Sequence, residues 1–468
     1  MNGGFVAWAD DRPALVDVTT GSNLSYADLM TWTQEREAIY GGERGLVFVF
    51  ARNSMPSVLS YLSALQSDQP VALLDHGLSV EFRRQLVDRY VPAFIHWEGD
   101  SDDPVVDDYE VVAPSLFVRT QEVRSSLHPE LAVLLTTSGS TGSQKLVRLS
   151  RANISSNAQA IASSLDLTRS DCAITALPFH YSYGMSVLNS HLLAGATVLV
   201  AQLSVLEQEF WDAVRTHGVT SFAGVPFTFR MLERTGFDTM NLPHLRYVTQ
   251  AGGAMSPERT RVLAEALESR GIGLYVMYGQ TEAAPRISCL SVTSQPEKIG
   301  SVGRALDGGE LMIDSGEGSE GEVVYRGPNV MMGYASDVSD LGLGDVQGDT
   351  LRTGDLGFLD DEGFLHITAR MKRIAKLFGL RLNLDEIEAM VHNLGQSAAV
   401  NIGETLHVHH LSTDESAVNT AQQHLEKMLK LPPDAITFHR LDVFPTLGND
   451  KIDYRRLEKI HDDPPVGS

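Results

Sequence analysis

From about residue 46 to residue 280, short apolar runs alternate with amphipathic stretches. The runs include Leu46–Phe50, Val71–Leu74, Leu131–Leu135, Thr197–Val200 and Leu274–Met277. Each is too short for a helix and suits a buried strand, while intervening stretches such as Pro257–Glu268 carry the spacing of a surface helix. This strand–helix rhythm predicts an α/β fold built on mostly parallel sheets. After residue 300 the texture changes to glycine-rich turns and short alternating strands, as in Gly321–Gly327. The C-terminal stretch then predicts a small α+β unit, with a helix over Leu384–Asn393, strands near Ala398–Ile402 and Leu406–Leu411, and a helix over Val418–Leu429. The cationic run Arg370-Met371-Lys372-Arg373 precedes it and marks the expected boundary. The predicted organisation is therefore a large N-terminal domain, residues 1–369, and a small C-terminal domain, residues 370–468. No internal repeat is visible.

A chain of 468 residues favours at least two domains, and 43% hydrophobic with 21% charged residues is ordinary for a globular protein. The net charge of −23 argues against nucleic acid as a partner, because a phosphate backbone needs a basic face. A small anionic molecule is still compatible, since Mg²⁺, backbone N–H groups and a few cations can meet its charge locally. The acidic stretch at residues 98–110 reads as a solvated surface loop. Only Cys172 and Cys289 are present, so neither a disulfide framework nor a cysteine metal site is offered. The start of the chain carries no basic segment followed by an apolar run, and no apolar run is long enough to span a bilayer. A cytoplasmic protein with no membrane partner is the expectation.

The segment Thr136-Thr137-Ser138-Gly139-Ser140-Thr141-Gly142-Ser143-Gln144-Lys145 follows an apolar strand and gathers hydroxyls, glycines and a lysine. Glycines let successive N–H groups turn inward as an anion nest, hydroxyls add donors, and Lys145 adds charge. Phosphate is the expected guest, with a flexible Ser/Gly turn as the alternative. The spacing of Gly139 and Gly142 does not fit a Walker loop. Residues Gly316-Glu317-Gly318-Ser319-Glu320-Gly321 match a dinucleotide fingerprint literally, but they carry two carboxylates and run into a strand pattern, so a hairpin turn is expected. Along Leu406-His407-Val408-His409-His410, alternation puts His407 and His409 on one face without a Cys or carboxylate cluster, and no zinc site is expected.

Three further motifs follow the Thr137–Gly142 segment in order: Tyr278-Gly279-Gln280-Thr281-Glu282, Arg352-Thr353-Gly354-Asp355, and Pro445-Thr446-Leu447-Gly448-Asn449-Asp450-Lys451. Together they resemble the adenylate-forming superfamily of acyl- and aryl-CoA synthetases, peptide-synthetase adenylation domains and luciferases, over about residues 10 to 460. The resemblance implies a carboxylate attacking the α-phosphorus of ATP, with pyrophosphate leaving through a crowded anionic transition state. It implies that Thr137, Ser138, Gly139, Ser140, Thr141, Gly142 and Lys145 hold phosphates, that Thr281 donates to the α-phosphate, and that Glu282 holds Mg²⁺. Tyr278, Gly279 and Gln280 complete that nucleotide motif. Asp355 would accept from the ribose hydroxyls, with Arg370 on the ribose side and Lys372 at the pivoting hinge position. Lys451 would be the mobile catalytic lysine, in an Asn-Asp-Lys turn where the family has Asn-Gly-Lys.

By the same resemblance, Gly252, Gly253 and Ala254 form a shelf against adenine, and His180 and Tyr181 stand at the acid pocket or are ordinary core aromatics. Arg286 either holds an anionic group of the substrate or pairs with a neighbouring acid. The phosphate loop ends Gln144-Lys145-Leu146 where the family has Pro-Lys-Gly, and Gly379 is the expected hinge glycine. ATP and Mg²⁺ are the implied cofactors, with CoA or an acyl-carrier protein as acceptor. Three functions remain open on these residues. The first is a ligase for a small fatty or aromatic carboxylic acid. The second is a diazotase, which activates nitrite for diazotisation of an aromatic amine. The third is an inactive nucleotide-binding scaffold, which the presence of Thr281, Glu282, Asp355 and Lys451 disfavours.

Overall fold

A computed structural model describes residues 8–40, 44–99, 103–121, 126–136, 145–316, 318–377, 380–403, 405–429, 435–447 and 451–462. The chain divides into two compact units, one comprising Met1–Leu311, Val324–Leu351 and Asp360–Leu365, the other Met312–Val323, Arg352–Leu359 and His366–Ser468.

The first unit is built on two large sheets. One runs, edge to edge, through Arg304–Ala305, Arg286–Ser291, Gly273–Gly279, Tyr247–Gln250, Ser221–Gly224, Cys172–Ile174, Thr197–Val200, Pro13–Asp17 and Asn23–Ser25. Its six strands from Gly273–Gly279 to Pro13–Asp17 are parallel, and antiparallel strands close both ends. The other runs through Gly333–Ala335, Leu146–Ser150, Leu131–Thr136, Val71–Asp75, Val47–Ala51, Phe94–His96, Leu116–Arg119 and Tyr109–Ala113, with a parallel centre. The α/β architecture with parallel sheets expected from the apolar runs is therefore present.

The run Val47–Phe50 shows why these strands lack polar alternation. Val47 and Val49 pack into one core with Leu73, Val133 and Val198, while Phe48 and Phe50 pack on the opposite face with Leu74, Leu134 and Tyr90. A parallel strand covered on both faces must be apolar throughout. Helix starts are fixed locally by side-chain caps. Ser54, Ser79 and Ser256 each accept from a backbone N–H one turn on, and Ser150 and Asn153 form a reciprocal capping box before the helix Arg151–Ser164. The helix over Pro257–Glu268 is as predicted.

In the second unit, Ser397–Ile402, Thr405–His410 and Ile436–Arg440 form a three-stranded sheet, flanked by helices Leu384–Met390, Glu415–Leu429 and Tyr454–Asp462. Leu382, Ile387, Val391, Val408, Leu425 and Ile436 share its core. The predicted helix from Leu384 gives way after Met390 to a 3₁₀ turn, His392–Leu394, followed by Gly395 at φ 80°. The strands Glu310–Asp314 and Gly321–Arg326 are neighbours in a four-stranded sheet, so the Gly316–Gly321 segment joins a hairpin as expected.

Within residues 98–110, Asp107, Asp108 and Glu110 are exposed as expected, but Glu98 and Asp103 are partly buried and paired, which corrects the solvated-loop reading at those two positions. Glu98 accepts from Ser54 at 2.5 Å and lies 3.2 Å from His96 Nε2. Asp103 pairs with Arg83 at 2.5 Å, the two side chains being 12% and 9% exposed. Charge density along the sequence suggested solvation, but partners more than a dozen residues away, on the helices Met55–Gln66 and Val80–Tyr90 or just before the first of them, supply compensating donors.

Candidate active site

Four neighbouring parallel strands of the first sheet, Cys172–Ile174, Ser221–Gly224, Tyr247–Gln250 and Gly273–Gly279, end on the same side. The segments leaving those ends carry the sequence-predicted residues: His180 and Tyr181 after the first, Gly252, Gly253 and Ala254 after the third, and Thr281 and Glu282 after the fourth. Carboxyl ends of parallel strands are where open α/β sheets place ligands, because helix starts and loops converge there.

The strand Gly273–Gly279 includes Tyr278 and hands over through Gln280 to a 3₁₀ turn, Thr281–Ala283. Gly279 is required by packing: a Cβ there would lie 1.8 Å from the Pro285 carbonyl oxygen. The turn holds Thr281 nearly buried, its hydroxyl 3.1 Å from that of Ser182 at the start of the helix Ser182–Ala194. Glu282 is half-buried, and its Oε1 accepts from the Tyr334 hydroxyl at 2.7 Å. Burial and the nearby Glu282 carboxylate both push the Tyr334 phenol up, which keeps it a donor. Sequence reasoning missed Tyr334, whose position fifty-two residues downstream carries no local signal.

Beside the turn, Gly252 has φ +80°, a conformation that favours glycine, and the buried Gln250 donates to the Gly253 carbonyl at 2.9 Å. The segment Gly252-Gly253-Ala254 is thus fixed by its own strand end. The half-buried His180 sits near the Ala51 carbonyl and Asp75, at the ends of two strands of the other sheet, and burial lowers its pKa. The Tyr181 ring lies 6.3 Å from that of Tyr183.

Arg286 opens the strand Arg286–Ser291 and is 4% exposed. Asn157 grips its backbone from both sides, donating to its carbonyl at 2.8 Å and accepting from its N–H at 3.1 Å. Its guanidinium carbon lies 3.7 Å above the Tyr183 ring. The expectation of a neighbouring acid is not met: the ionisable groups facing it are Tyr183, Tyr181 and Cys289, and no carboxylate among the described residues lies within the 4.0 Å of an ion pair. Tyr183 is fully buried, donates or accepts at 2.7 Å with Thr249, and has its phenol pushed up to about 12 by burial. Arg286, Tyr183 and Thr249 line a cavity of about 20 Å³, room for roughly one water. Tyr183 and Thr249 were also missed; Tyr183 stands two residues after the predicted Tyr181, on the helix Ser182–Ala194, where it is buried.

In the second unit, Asp355 lies on the strand Thr350–Leu359, is 4% exposed, and accepts from Arg370 Nε at 3.0 Å. Lys372 lies in the turn Met371–Arg373. Lys451 is half-buried; its carbonyl accepts from Leu447 N at 2.7 Å, and Thr446 bridges Ile452 across the turn. Thr137, Ser138, Gly139, Ser140, Thr141, Gly142 and Gly379 lie outside the described residues. The ends of the phosphate segment are paired strands, Thr136 opposite Leu146, and Lys145 is exposed between them. Among the described residues no cluster of three or more His, Cys, Asp or Glu could hold a metal, and no helix is long and apolar enough to cross a membrane.

Fold and site together define an adenylate-forming enzyme, an ATP-dependent, AMP-forming ligase. The chain belongs to the AMP-binding enzyme family, whose model matches residues 6–335. It is 32% identical over 348 residues to a 2-succinylbenzoate–CoA ligase of Bacillus cereus, spanning 70% of this chain and 69% of that one. Alignments with further relatives of that name span 50% of their length. Among solved structures, the o-succinylbenzoate CoA synthetase of Bacillus subtilis in complex with its acyl-adenylate superposes with a TM-score of 0.75 at 21% identity, covering 98% of this chain and 96% of that one. ATP-bound MatB of Rhodopseudomonas palustris gives 0.77 at 19% identity, covering 99% of each. At such identities these two likenesses concern the fold.

Proposed function

We propose that this ligase activates a small organic carboxylic acid as an acyl-AMP, releasing pyrophosphate, and then transfers the acyl group to CoA. The observation that carries this reading is the convergence of the Gly252–Ala254 and Thr281–Glu282 segments at adjacent carboxyl ends of one parallel sheet, in a chain that also carries Asp355 and Lys451 in family order. The relative named 2-succinylbenzoate–CoA ligase favours an aromatic acid over a fatty acid and CoA over a carrier protein.

In this reading the carboxylate oxygen attacks the α-phosphorus and pyrophosphate leaves. Thr281 donates to an α-phosphate oxygen, Thr137–Gly142 and Lys145 hold the leaving phosphates, and Gly252–Ala254 line the adenine. Asp355 accepts from the ribose hydroxyls, which suits a nearly buried carboxylate already paired with Arg370. Glu282 would hold Mg²⁺. A single carboxylate with a tyrosine donor fits that ion, which usually takes one or two protein carboxylates and completes its shell with phosphate oxygens and water. Bound there, Mg²⁺ supplies charge neutralisation at the phosphates. Residues 370–468 act as the mobile domain, pivoting at Lys372 and carrying Lys451 to the α-phosphate for the first half-reaction. His180 and Tyr181 flank the acid.

The test is pyrophosphate release by the full chain against a panel of aryl and aliphatic acids, with and without CoA. One or more acids should release pyrophosphate and, with CoA, yield a thioester. Lys451→Ala should abolish adenylation while leaving the far-ultraviolet spectrum unchanged. ATP binding without pyrophosphate release for any acid, or undiminished adenylation by Lys451→Ala, would sink the assignment.

A further inference from the structure

The turn Thr281–Ala283 is bonded to a segment that follows it far along the chain. Asn329 Nδ2 donates to the carbonyls of Ala283 at 2.5 Å and Arg286 at 3.0 Å, and Met331 N donates to the Glu282 carbonyl at 2.9 Å. Asn329 and Met331 are both buried. Just beyond them the strand Gly333–Ala335 pairs with Leu146–Ser150, Tyr334 standing opposite Val147, and Arg148 Nε donates to the Tyr334 carbonyl at 3.2 Å. Gly333 is required there, since its φ is +119° and a Cβ would lie 2.7 Å from Val346 Cγ2. The backbones of Glu282 and Tyr334 are therefore held near each other without help from the phenol.

The Tyr334 ring does little packing, the residue being 44% exposed. Its hydroxyl donates to Glu282 Oε1 at 2.7 Å, and among the described residues no other side chain hydrogen-bonds that carboxylate. A glutamate side chain turns about three bonds, so presenting its carboxylate in one orientation costs rotamer freedom. A hydrogen bond to the ionised group fixes that orientation before any ion binds, and it leaves Oε2 as the oxygen an ion can take.

We propose that Tyr334 is a positioning residue of the adenylation reaction, holding Glu282 by Oε1 so that Oε2 meets the divalent ion of the nucleotide. The inference rests on the reading of Glu282 as the Mg²⁺ ligand. Tyr334 acts through that carboxylate, on metal-linked nucleotide affinity, and not through the stability of the chain.

The experiment is ATP binding by the full chain, measured by isothermal titration without acid, in MgCl₂ and in EDTA. Wild type, Tyr334→Phe, Glu282→Ala and the double variant are compared. Phenylalanine keeps the ring and removes the donor, so the Tm should not move. In wild type, Mg²⁺ should tighten ATP binding. Tyr334→Phe should reduce that Mg²⁺ advantage about tenfold, the low end of what partners of metal ligands contribute, with ATP affinity in EDTA as in wild type. In the Glu282→Ala background, Tyr334→Phe should have no further effect on the advantage, because the hydroxyl then has no carboxylate to act through. Equal weakening with and without Mg²⁺, an unchanged Mg²⁺ advantage, or an effect that persists in Glu282→Ala overturns the proposal. Wild-type ATP binding that ignores Mg²⁺ overturns it together with the metal role of Glu282. A Mg²⁺ advantage that falls in Tyr334→Phe supports it even in a chain that releases pyrophosphate with no acid, a result that fails the ligase reading alone.

Discussion

Arg148→Met should destabilise the first unit by several kcal/mol and weaken the support of Glu282 at the same time. Arg148 lies on the strand that follows the phosphate segment and is 0% exposed. Its guanidinium donates to the carbonyls of Tyr334 at 3.2 Å, Leu343 at 2.5 Å, Met332 at 3.0 Å and Gly344 at 3.2 Å from each of two nitrogens. Met332 keeps a second donor in Val346 N, so the loss falls mainly on the other three carbonyls. Hydrogen bonds to a charged donor contribute about 1.5–3 kcal/mol each, are not additive around one group, and are offset in part by no longer burying a cation, so about 3–5 kcal/mol is expected. Lysine keeps the charge but not the fork, and should recover part of the loss. All four tryptophans, Trp8, Trp32, Trp97 and Trp211, lie in the first unit, so urea unfolding followed by tryptophan fluorescence reads that unit selectively. Arg148 also anchors the strand Gly333–Ala335, whose Tyr334 bonds Glu282, so ATP–pyrophosphate exchange should fall with stability. A loss under about 1 kcal/mol would refute the reasoning, since it would mean that the carbonyls find other donors.

Glu98 gives a pH-dependent test. Burial works to raise its carboxyl, but hydrogen bonds from His96, Ser54 and Ser57 bring it down to about 2 from an ordinary 4.5. A depressed folded-state pKa stabilises above the unfolded value and is lost as pH falls through the folded one, here about 3 kcal/mol between roughly pH 5 and pH 2. The stability gap between wild type and Glu98→Gln should shrink across that window; a constant gap would count against the linkage. In the second unit, Arg373 pairs with Asp385 at 2.9 Å and with Glu388, and stacks 4.0 Å from the Tyr454 ring. Arg373→Met should cost about 3–5 kcal/mol by leaving buried acid unpaired. Circular dichroism should show the earlier unfolding while the tryptophan transition stays put, and a shifted tryptophan transition would contradict the division into units.

The elements that positioned the site were largely legible. The run Leu131–Leu135 is apolar because both faces of its strand are covered, and Pro257–Glu268 begins behind a capping serine; both signals are local and survive translation into structure. The partners of site residues were not legible in this way. Nothing near Glu282 points to Tyr334, and nothing near Glu98 points to Ser54, because each contact joins segments that only the folded sheets bring together.

By itself, then, the sequence determined the α/β class, the order of the adenylating motifs and the chemistry those residue types can perform, since periodicity and motif spacing are properties of neighbouring residues. The tertiary structure decided the environment of each group. Strand Cys172–Ile174 sits between Thr197–Val200 and Ser221–Gly224, an order no periodicity encodes, and that order brings Tyr183 beneath Arg286 and Ser182 beside Thr281. Arg286 could be read in sequence as half of an ion pair; the fold instead buries it against Tyr183, Tyr181 and Cys289, with no carboxylate among the described residues in ion-pair reach.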